Sequence, residues 1–276
     1  MTNDAAPIEP RPAATVLLLR DGNDGLEVLM VTRNVAADFA SGALVFPGGR
    51  VEPADAEAAT LARCRIPAGV GERAMGFRAA AVRETFEEAH LLLARPAGEE
   101  RLLAAPELNA IEAGIERRLG RRAQLDDLMA TGEIELATDL LVPFAHWITP
   151  VGPPKRFDTH FFLAPAPVDQ IAAHDGHEAV ETLWIAPQRA IAESEARRVT
   201  LVFATRMNLM KLGRSRTVAE ALAAARADTI VTVCPEVVEG PEGKTLRIPA
   251  AAGYGITEMP AHLTARAWVP RGTGAS

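Results

Sequence analysis

Residues 83–88 read Arg-Glu-Thr-Phe-Glu-Glu, and they lie within a strongly periodic part of the sequence. Apolar side chains recur around them at spacings of three and four residues, which is typical of an amphipathic helix. These side chains belong to Met75, Ala79, Val82, Phe86, Ala89 and Leu93. The pattern predicts a helix that Pro96 stops, because proline disrupts the helical hydrogen bonding.

Three glutamates lie on this predicted helix. At about 100° per residue, Glu84 and Glu88 are one turn apart and point away from the apolar stripe, with Glu87 on the flank. Like charges at this spacing repel each other, and a divalent cation would relieve that repulsion. Carboxylate oxygens without a nearby Cys or His cluster favour Mg²⁺ or Mn²⁺ over zinc. The stretch therefore predicts a metal site, with a solvated charged face as the alternative.

A second stretch, residues 46–49, reads Phe-Pro-Gly-Gly and ends a predicted short strand. Without Cβ atoms, Gly48 and Gly49 allow the backbone to approach a metal or a ligand closely. Arg83 directly precedes Glu84 and can hold a carboxylate in a fixed orientation by a charge-assisted hydrogen bond. Taken alone, the Gly-Gly stretch could be a plain turn, and Arg83 could form an ordinary surface ion pair.

Together the two stretches resemble the signature of the Nudix hydrolases. That signature is a Gly, five residues, a Glu, seven residues and Arg-Glu-U-x-Glu-Glu-x-Gly-U, where U is a bulky aliphatic residue. Gly49 stands at the leading Gly, Asp55 at the first Glu, and residues 83–88 at the core. Twenty-seven residues separate Asp55 from Arg83, where seven are usual. A split box of this kind resembles the branch that contains coenzyme A diphosphatases, and the resemblance extends over roughly residues 12–260.

The sequence departs from the signature at three positions. Asp55 is one methylene shorter than Glu, and Thr85 occupies an aliphatic position. His90 replaces the Gly that usually ends the helix. If that position needs a positive φ, His is strained there, although it tolerates such a φ better than most residues with a side chain. These departures concern the helix end more than the metal site.

The resemblance implies a reaction and a metal. Water attacks a diphosphate phosphorus with Mg²⁺ (or Mn²⁺) as cofactor, and two phosphorylated products are released. The implied metal ligands are Glu84, Glu88 and Glu87, with the Gly48 carbonyl as a further oxygen. Arg83 would orient the carboxylates, so the implied catalytic set is Glu87, Arg83 and Glu84.

The general base and the substrate contacts stay open in the sequence. Members of the family use different glutamates as base, and the candidates here are Glu87, Glu178 and Glu181. The predicted substrate-binding residues are Arg33, Gly49 and Arg156, because an arginine after a strand or in a Pro-rich loop can meet a phosphate.

The predicted partner is a small-molecule diphosphate derived from a nucleotide. Coenzyme A or acyl-coenzyme A is the leading substrate class. A diphosphatase for a nucleoside diphosphate sugar or a dinucleotide, such as ADP-ribose or NADH, is the alternative. A non-catalytic nucleotide-binding regulator is a third hypothesis, against which the intact Arg-Glu-x-x-Glu-Glu core argues.

The remaining pattern predicts an α/β (α+β) fold, an α/β/α sandwich with a mixed sheet, helical insertions and a C-terminal extension. Residues 13–19 and 26–32 flank a Gly/Asn/Asp turn and predict a β-hairpin. Further strands are predicted at 138–149, 157–164 and 180–185, a second hairpin within 229–248, and helices at 107–131, 187–195, 200–212 and 217–227. The predicted division is a disordered lead at 1–11, a Nudix domain at 12–227 with insertions at 56–82 and 100–135, and a C-terminal extension at 228–276 packed on that domain.

The composition limits the partners and the compartment that can be expected for the protein. The formal net charge of -7 argues against a general nucleic-acid binder, which needs a basic surface. No apolar run approaches the roughly 18 residues that span a bilayer, so no membrane partner is expected. Cys64 and Cys234 are expected to be unpaired thiols, which fits a reducing, cytoplasmic compartment. A homodimer remains an open alternative for the assembly.

The histidines carry no metal-ligand spacing in the sequence. His146, His160, His174 and His177 are therefore expected to be structural or surface residues. Trp147 and Trp184 are expected in the core.

Overall fold

The structure of the protein is a computed structural model that describes residues 8–33, 42–172, 179–241 and 243–261. Its strands are β1 (Arg11–Gly22), β2 (Gly25–Arg33), β3 (Leu44–Val45), β4 (Gly48–Arg50), β5 (Ala94–Pro96), β6 (Ile134–Leu136), β7 (Val142–Ile148), β8 (Phe157–Pro165), β9 (Ala179–Ile185), β10 (Thr232–Val233), β11 (Glu236–Gly240), β12 (Gly243–Arg247) and β13 (Glu258–Pro260). Its α-helices are α1 (Ala58–Leu61), α2 (Glu72–Ala89), α3 (Ala105–Leu119), α4 (Leu125–Thr131), α5 (Pro187–Glu195), α6 (Phe203–Leu212) and α7 (Val218–Ala227).

The centre of the fold is a mixed sheet in which β1 is a middle strand. The strand order is β10-β7-β8-β1-β2-β3, with β4 paired to β1 and β9 paired to β2. β1 runs parallel to β8 and antiparallel to β2 and β4. The predicted first hairpin is confirmed, because Gly22 pairs with Gly25 at the turn between β1 and β2. The predicted mixed sheet is confirmed as well.

Alternating side chains of β1 pack into two separate apolar clusters, one on each face of the sheet. Ala14, Val16 and Leu18 face a cluster that includes residues of α2, α3 and α4. Leu17 and Leu19 face a cluster that includes residues of α5, α6 and α7. This period of two places helices on both faces, as the predicted α/β/α sandwich requires.

The helix that carries the acidic stretch ends earlier than the sequence predicts. α2 stops at Ala89, although the apolar period continues to Leu93. Residues 91–93 are buried leucines outside the helix, and they lead into β5. Pro96 is the last residue of β5 rather than a helix stop, and the pairing of β5 with β6 was not predicted. The apolar pattern persists because this extended chain is buried in the same core.

Residues of the predicted insertions and of the C-terminal part pack into the two apolar clusters. Leu108, Ile115 and Leu128, from the second insertion, belong to the cluster around α2. On the opposite face, Tyr254 accepts a hydrogen bond from Trp147 Nε1 at 2.8 Å, which ties the C-terminal part to β7. β11 and β12 form the second predicted hairpin. The exact division at 12–227 stays a prediction.

Two further expectations concern the ends of the described chain. Arg11 is already in β1, so the predicted lead of residues 1–11 is too long by this residue, and residues 1–7 lie outside the described part. Among the described residues, no helix has both the length and the apolarity that a membrane crossing requires.

Candidate active site

The two glutamates one turn apart on α2 are buried against β4. Glu84 is 8% exposed and Glu88 is 6% exposed, and both belong to the face that packs on the Gly-Gly strand. The side chain of Glu87 is half exposed. The alternative of a solvated charged face is therefore wrong for Glu84 and Glu88. These carboxylates can be buried because β4 presents glycine backbone rather than side chains at this place.

The glycines of β4 bring the backbone against the carboxylates. The Gly48 amide donates a hydrogen bond to Glu88 Oε2 at 2.9 Å. A Cβ atom on Gly49 would lie 2.5 Å from the carboxylate of Glu84, closer than such contacts occur. A Cβ atom on Gly48 would lie 2.4 Å from the Ala14 carbonyl oxygen on β1. Gly48 and Gly49 are thus required by packing on both sides of β4.

Arg83 holds three carboxylates with one guanidinium. Its Nη1 donates to Glu84 Oε1 at 2.9 Å and to Glu87 Oε2 at 2.8 Å. Its Nε and Nη2 donate to the two oxygens of Asp55 at 2.9 and 3.0 Å. Burial opposes the charged form, but these hydrogen bonds and negative charges outweigh it, so the pKa of Arg83 is above its usual range. The guanidinium therefore fixes the orientation of its neighbours.

Asp55 is the residue that joins the two halves of the split box. It is 3% exposed, and its Oδ2 also accepts a hydrogen bond from the Glu52 amide at 2.8 Å in a short 3₁₀ turn, Pro53–Ala56. The next residues form α1 and the first turns of α2, and the chain returns to place Arg83 beside Asp55. The insertion therefore separates the halves along the chain but not in space.

The residues of this cluster fit a hard divalent cation. The cluster contains four carboxylates and one guanidinium, so negative charge exceeds positive charge. Asp55, Glu84 and Glu87 bind Arg83, and Glu88 accepts from the Gly48 amide. The donors are oxygens, which Mg²⁺ and Mn²⁺ prefer. Three of the carboxylates, those of Asp55, Glu84 and Glu88, are buried, where uncompensated negative charge is costly. A cation beside Glu84 and Glu88 would lower that cost.

Comparisons with known proteins identify the family to which this site belongs. The family model of the NUDT19 Nudix domain matches residues 65–207, which is slightly more than half of the chain and includes α2. The chain belongs to the Nudix hydrolase family. A Nudix hydrolase crystal structure from Alicyclobacillus acidocaldarius has a TM-score of 0.64 and 28% identity, covering 79% of this chain and 97% of that chain.

Two curated relatives share the Nudix assignment. Acyl-coenzyme A diphosphatase NUDT19 from Gallus gallus is 32% identical, covering 63% of this chain and 58% of that protein. Putative nudix hydrolase 7 from Caenorhabditis elegans is 31% identical, covering 63% of this chain and 51% of that protein. The chain thus spans somewhat more than half of the length of these relatives.

Local contacts accommodate two departures from the signature, one at the end of the Nudix helix and one within it. His90 adopts the left-handed conformation, with φ of 53° and ψ of 30°, as a glycine would at this position. Its Nδ1 lies 2.9 Å from Nη2 of Arg122, and its Nε2 lies 3.4 Å from Glu112 on α3. Thr85 is buried and donates its hydroxyl proton to the Ala81 carbonyl at 2.7 Å. The helix itself therefore accommodates Thr85 at an aliphatic position.

Of the two predicted substrate arginines, the structure describes the side chain of Arg156 only. Arg156 is buried, and it donates to the carbonyl oxygens of Thr149 and Ile8 at 2.9 and 2.6 Å. It precedes β8 at the end where Arg11 begins β1, so it stabilises the strand ends and the substrate role assigned to it is not supported. Arg33 ends β2, and its side chain lies outside the described part.

Of the two alternative bases, the structure describes only Glu181. Glu181 is exposed on β9, opposite Thr32. Glu178 lies outside the described residues, so its position relative to Glu87 stays a prediction.

The structure also assembles a cluster that the sequence analysis missed. His146 on β7 pairs directly with His160 on β8, and their rings stack with centroids 4.2 Å apart. Asp158, two residues before His160, contacts His146 Nε2. Burial and the neighbouring His146 lower the pKa of His160 to about 4, so its imidazole is neutral at physiological pH. The antiparallel register around the Pro-rich loop was the signal that could have revealed this cluster.

The structure tests the expectations for the two tryptophans but not those for His174 and His177. Trp147 is buried in the core as expected, and Trp184 is partly buried, with the Arg20 guanidinium 4.5 Å from its ring centroid. His174 and His177 lie outside the described residues.

Proposed function

We propose that this Nudix protein hydrolyses the diphosphate bond of coenzyme A or acyl-coenzyme A in a reaction that depends on Mg²⁺ or Mn²⁺. The observation that carries the proposal is the pair of buried carboxylates, Glu84 and Glu88, held against the Gly48–Gly49 backbone by Arg83 and by the Gly48 amide. The Gallus gallus relative is an acyl-coenzyme A diphosphatase, which favours this substrate class. Because the chain spans only 58% of that relative, the substrate remains an inference.

The reaction breaks one phosphoanhydride P–O bond and forms a new bond between phosphorus and the oxygen of water. Both products are phosphomonoesters, and the water gives up its protons to a base and to solvent. The bound cation supplies positive charge that offsets the diphosphate and lowers the pKa of water. Glu84 and Glu88 would hold the cation, with Glu87 and the Gly48 carbonyl as further oxygen ligands.

Arg83 and Asp55 act as positioning residues in this proposal. Arg83 fixes Glu84 and Glu87 through one nitrogen, while its other two nitrogens are held by Asp55. Such a fork restricts the rotamers of the glutamates before the substrate binds, which reduces the reorganisation needed during reaction. Gly49 completes the arrangement by letting the carboxylate of Glu84 lie on the backbone.

The general base is a separate question with three candidates. Glu87 is half exposed beside the buried pair, and it accepts a hydrogen bond from Arg83 at 2.8 Å. Glu181 and Glu178 are the alternatives from the later segment. The test compares the variants E87Q, E178Q and E181Q by the pH dependence of kcat/KM. Loss of the acidic limb of the profile in one variant alone identifies the base.

A substrate panel tests the proposed function. The full chain is freed of metal with EDTA and incubated with coenzyme A, an acyl-coenzyme A, ADP-ribose or NADH, with and without Mg²⁺ or Mn²⁺. Products are separated by chromatography. The proposal expects phosphomonoester release from the coenzyme A compounds only when a divalent ion is present. Preference for ADP-ribose or NADH would favour the dinucleotide alternative, and no product from any diphosphate would favour a nucleotide-binding regulator.

A further inference from the structure

The histidine cluster on β7 and β8 places metal-ligand atoms together outside the glutamate site. The antiparallel register sets His146 opposite His160, and Asp158 lies two residues earlier on the same face. One ligand atom from each of these residues lies within 4.8 Å of the ligand atoms of the other two. A small rotation of the side chains can therefore bring all three onto one ion.

The contacts of His146 indicate which nitrogen would bind. Its Nε2 lies against Oδ1 of Asp158, and its Nδ1 lies 2.8 Å from Oγ1 of Thr232 on β10. An imidazole nitrogen is stable against a carboxylate when a proton or a metal ion lies between them. Thr232 can accept the Nδ1 proton, which leaves Nε2 free to coordinate. This outer hydrogen bond is the arrangement that orients metal-binding histidines in proteins.

The surroundings of His160 complete the cluster. The His160 imidazole offers two ring nitrogens as candidate ligand atoms. Phe77 of α2 packs on it with ring centroids 4.2 Å apart, which restricts its rotamers. Arg73, also on α2, carries a positive charge nearby that disfavours a cation, and Asp158 counteracts that charge. The side chains of His146 and Asp158 are 18% and 23% exposed, so an ion from solvent can reach them.

The cluster is separate from the glutamate site. His160 lies opposite Ala14 on β1, and Ala14 lies opposite Gly49 on β4. Two strand spacings therefore separate His160 from Gly49, which corresponds to about 10 Å. The two groups also differ in chemistry, because one offers oxygens and the other offers two imidazoles and one carboxylate.

We propose that His146, Asp158 and His160 form a binding site for Zn²⁺. This site is independent of the glutamates that would hold Mg²⁺. Two imidazoles and a carboxylate are a common ligand set for zinc, with water at the remaining position. The proposal does not depend on the proposed hydrolase function.

Zinc binding in the presence of excess Mg²⁺ tests this proposal. The full chain, without a histidine tag, is stripped with EDTA, dialysed against Zn²⁺ and Mg²⁺, and analysed for zinc per chain. The wild-type protein is expected to retain one zinc ion. The variants H160Q and D158N are expected to bind zinc at least about tenfold more weakly, as loss of a ligand or its support does at metal sites. The matched control E84Q is expected to retain the zinc.

A second measurement keeps the test decisive. Co²⁺ replaces Zn²⁺ in the same samples, and the visible absorption of the bound Co²⁺ reports nitrogen ligation. Circular dichroism checks that each variant is folded. If H160Q does not fold, D158N provides the test, because Asp158 is more exposed and its substitution is less disruptive. Equal zinc in the wild type, H160Q and D158N, or no zinc in the wild type, would overturn the proposal. Loss of zinc in E84Q alone would also overturn it, since the ion would then lie at the glutamates.

Discussion

The carboxylate of Glu84 lies 2.5 Å from the position that a Cβ atom on Gly49 would occupy. Glu84 and Gly49 are thus in direct contact, although 34 residues of sequence lie between them. The contact exists because α2 crosses β4 on the face that carries no side chains. A helix carboxylate can approach a strand backbone this closely only where the strand residue is glycine.

The first prediction is that Gly49→Ala damages the site. The new methyl group would displace Glu84, so turnover should fall by at least about tenfold and the free energy of unfolding by about 1–3 kcal/mol. Activity assays and urea denaturation measure the two effects. The matched control is Gly114→Ala in the middle of α3, where no heavy atom lies within 4 Å of the added Cβ. That substitution should increase stability by about 0.5–1 kcal/mol. An active, fully stable Gly49→Ala protein would contradict the packing described above.

The second prediction concerns the fork of Arg83. Arg83→Lys keeps the charge but cannot bind Asp55 with two nitrogens while also reaching Glu84. Because Asp55 is 3% exposed, the loss should lower the free energy of unfolding by about 2–3 kcal/mol, measured by urea denaturation. The control is Arg101→Lys, which breaks a similar fork to Glu107 at the surface and should have a much smaller effect. Equal effects of the two substitutions would show that burial of the fork is unimportant.

The third prediction concerns strain at His90. Its left-handed conformation should cost any residue with a Cβ about 1 kcal/mol relative to glycine. Both His90→Gly and His90→Ala remove the ring contacts with Arg122 and Glu112. The Gly variant should therefore be more stable than the Ala variant by about 1 kcal/mol in thermal or urea unfolding. An Ala variant as stable as the Gly variant would mean that the helix does not end in this conformation.

The fourth prediction concerns the two thiols. Burial, reinforced by Asp55, raises the pKa of Cys64 to about 12, whereas Cys234 is exposed, although partial burial also raises the pKa of its thiol. Because the thiolate is the reactive form, a thiol reagent should label Cys234 in the native protein and Cys64 only after unfolding. Mass spectrometry of labelled peptides measures this, with Cys234→Ser as the control that should abolish native labelling. Rapid labelling of Cys64 in the folded chain would contradict its described burial.

Much of the fold could be predicted from local patterns. The first hairpin follows from the turn residues between β1 and β2. The predicted helix at 217–227 is α7, which the Thr217 side chain caps by accepting a hydrogen bond from the Glu220 amide. The end of α2 could not be predicted in the same way. The leucines at 91–93 continue the apolar period of the helix, but burial alone does not distinguish helix from extended chain.

The candidate site was predictable in its residues but not in its geometry. The spacing of Glu84 and Glu88 shows that they share a helix face, yet the sequence does not reveal that this face meets a strand of glycines. The partners of Arg156 were equally hidden in the sequence, because its carbonyl contacts come from Thr149, just after β7, and from Ile8, before β1. His146 and His160 are adjacent only through strand register, which a local reading of spacing does not contain.

Glu84 and Glu88 are proposed to hold the divalent cation that hydrolysis requires. The decisive measurement is kcat of Glu84→Gln at saturating Mg²⁺, with circular dichroism to confirm folding. The substitution keeps the shape of the side chain and removes its charge. The matched control is Glu116→Gln, an exposed glutamate on α3. We expect kcat of Glu84→Gln to fall at least about a hundredfold, since several kcal/mol of charge stabilisation are lost. Glu116→Gln should behave as wild type. A folded Glu84→Gln protein with near-normal kcat would contradict the account.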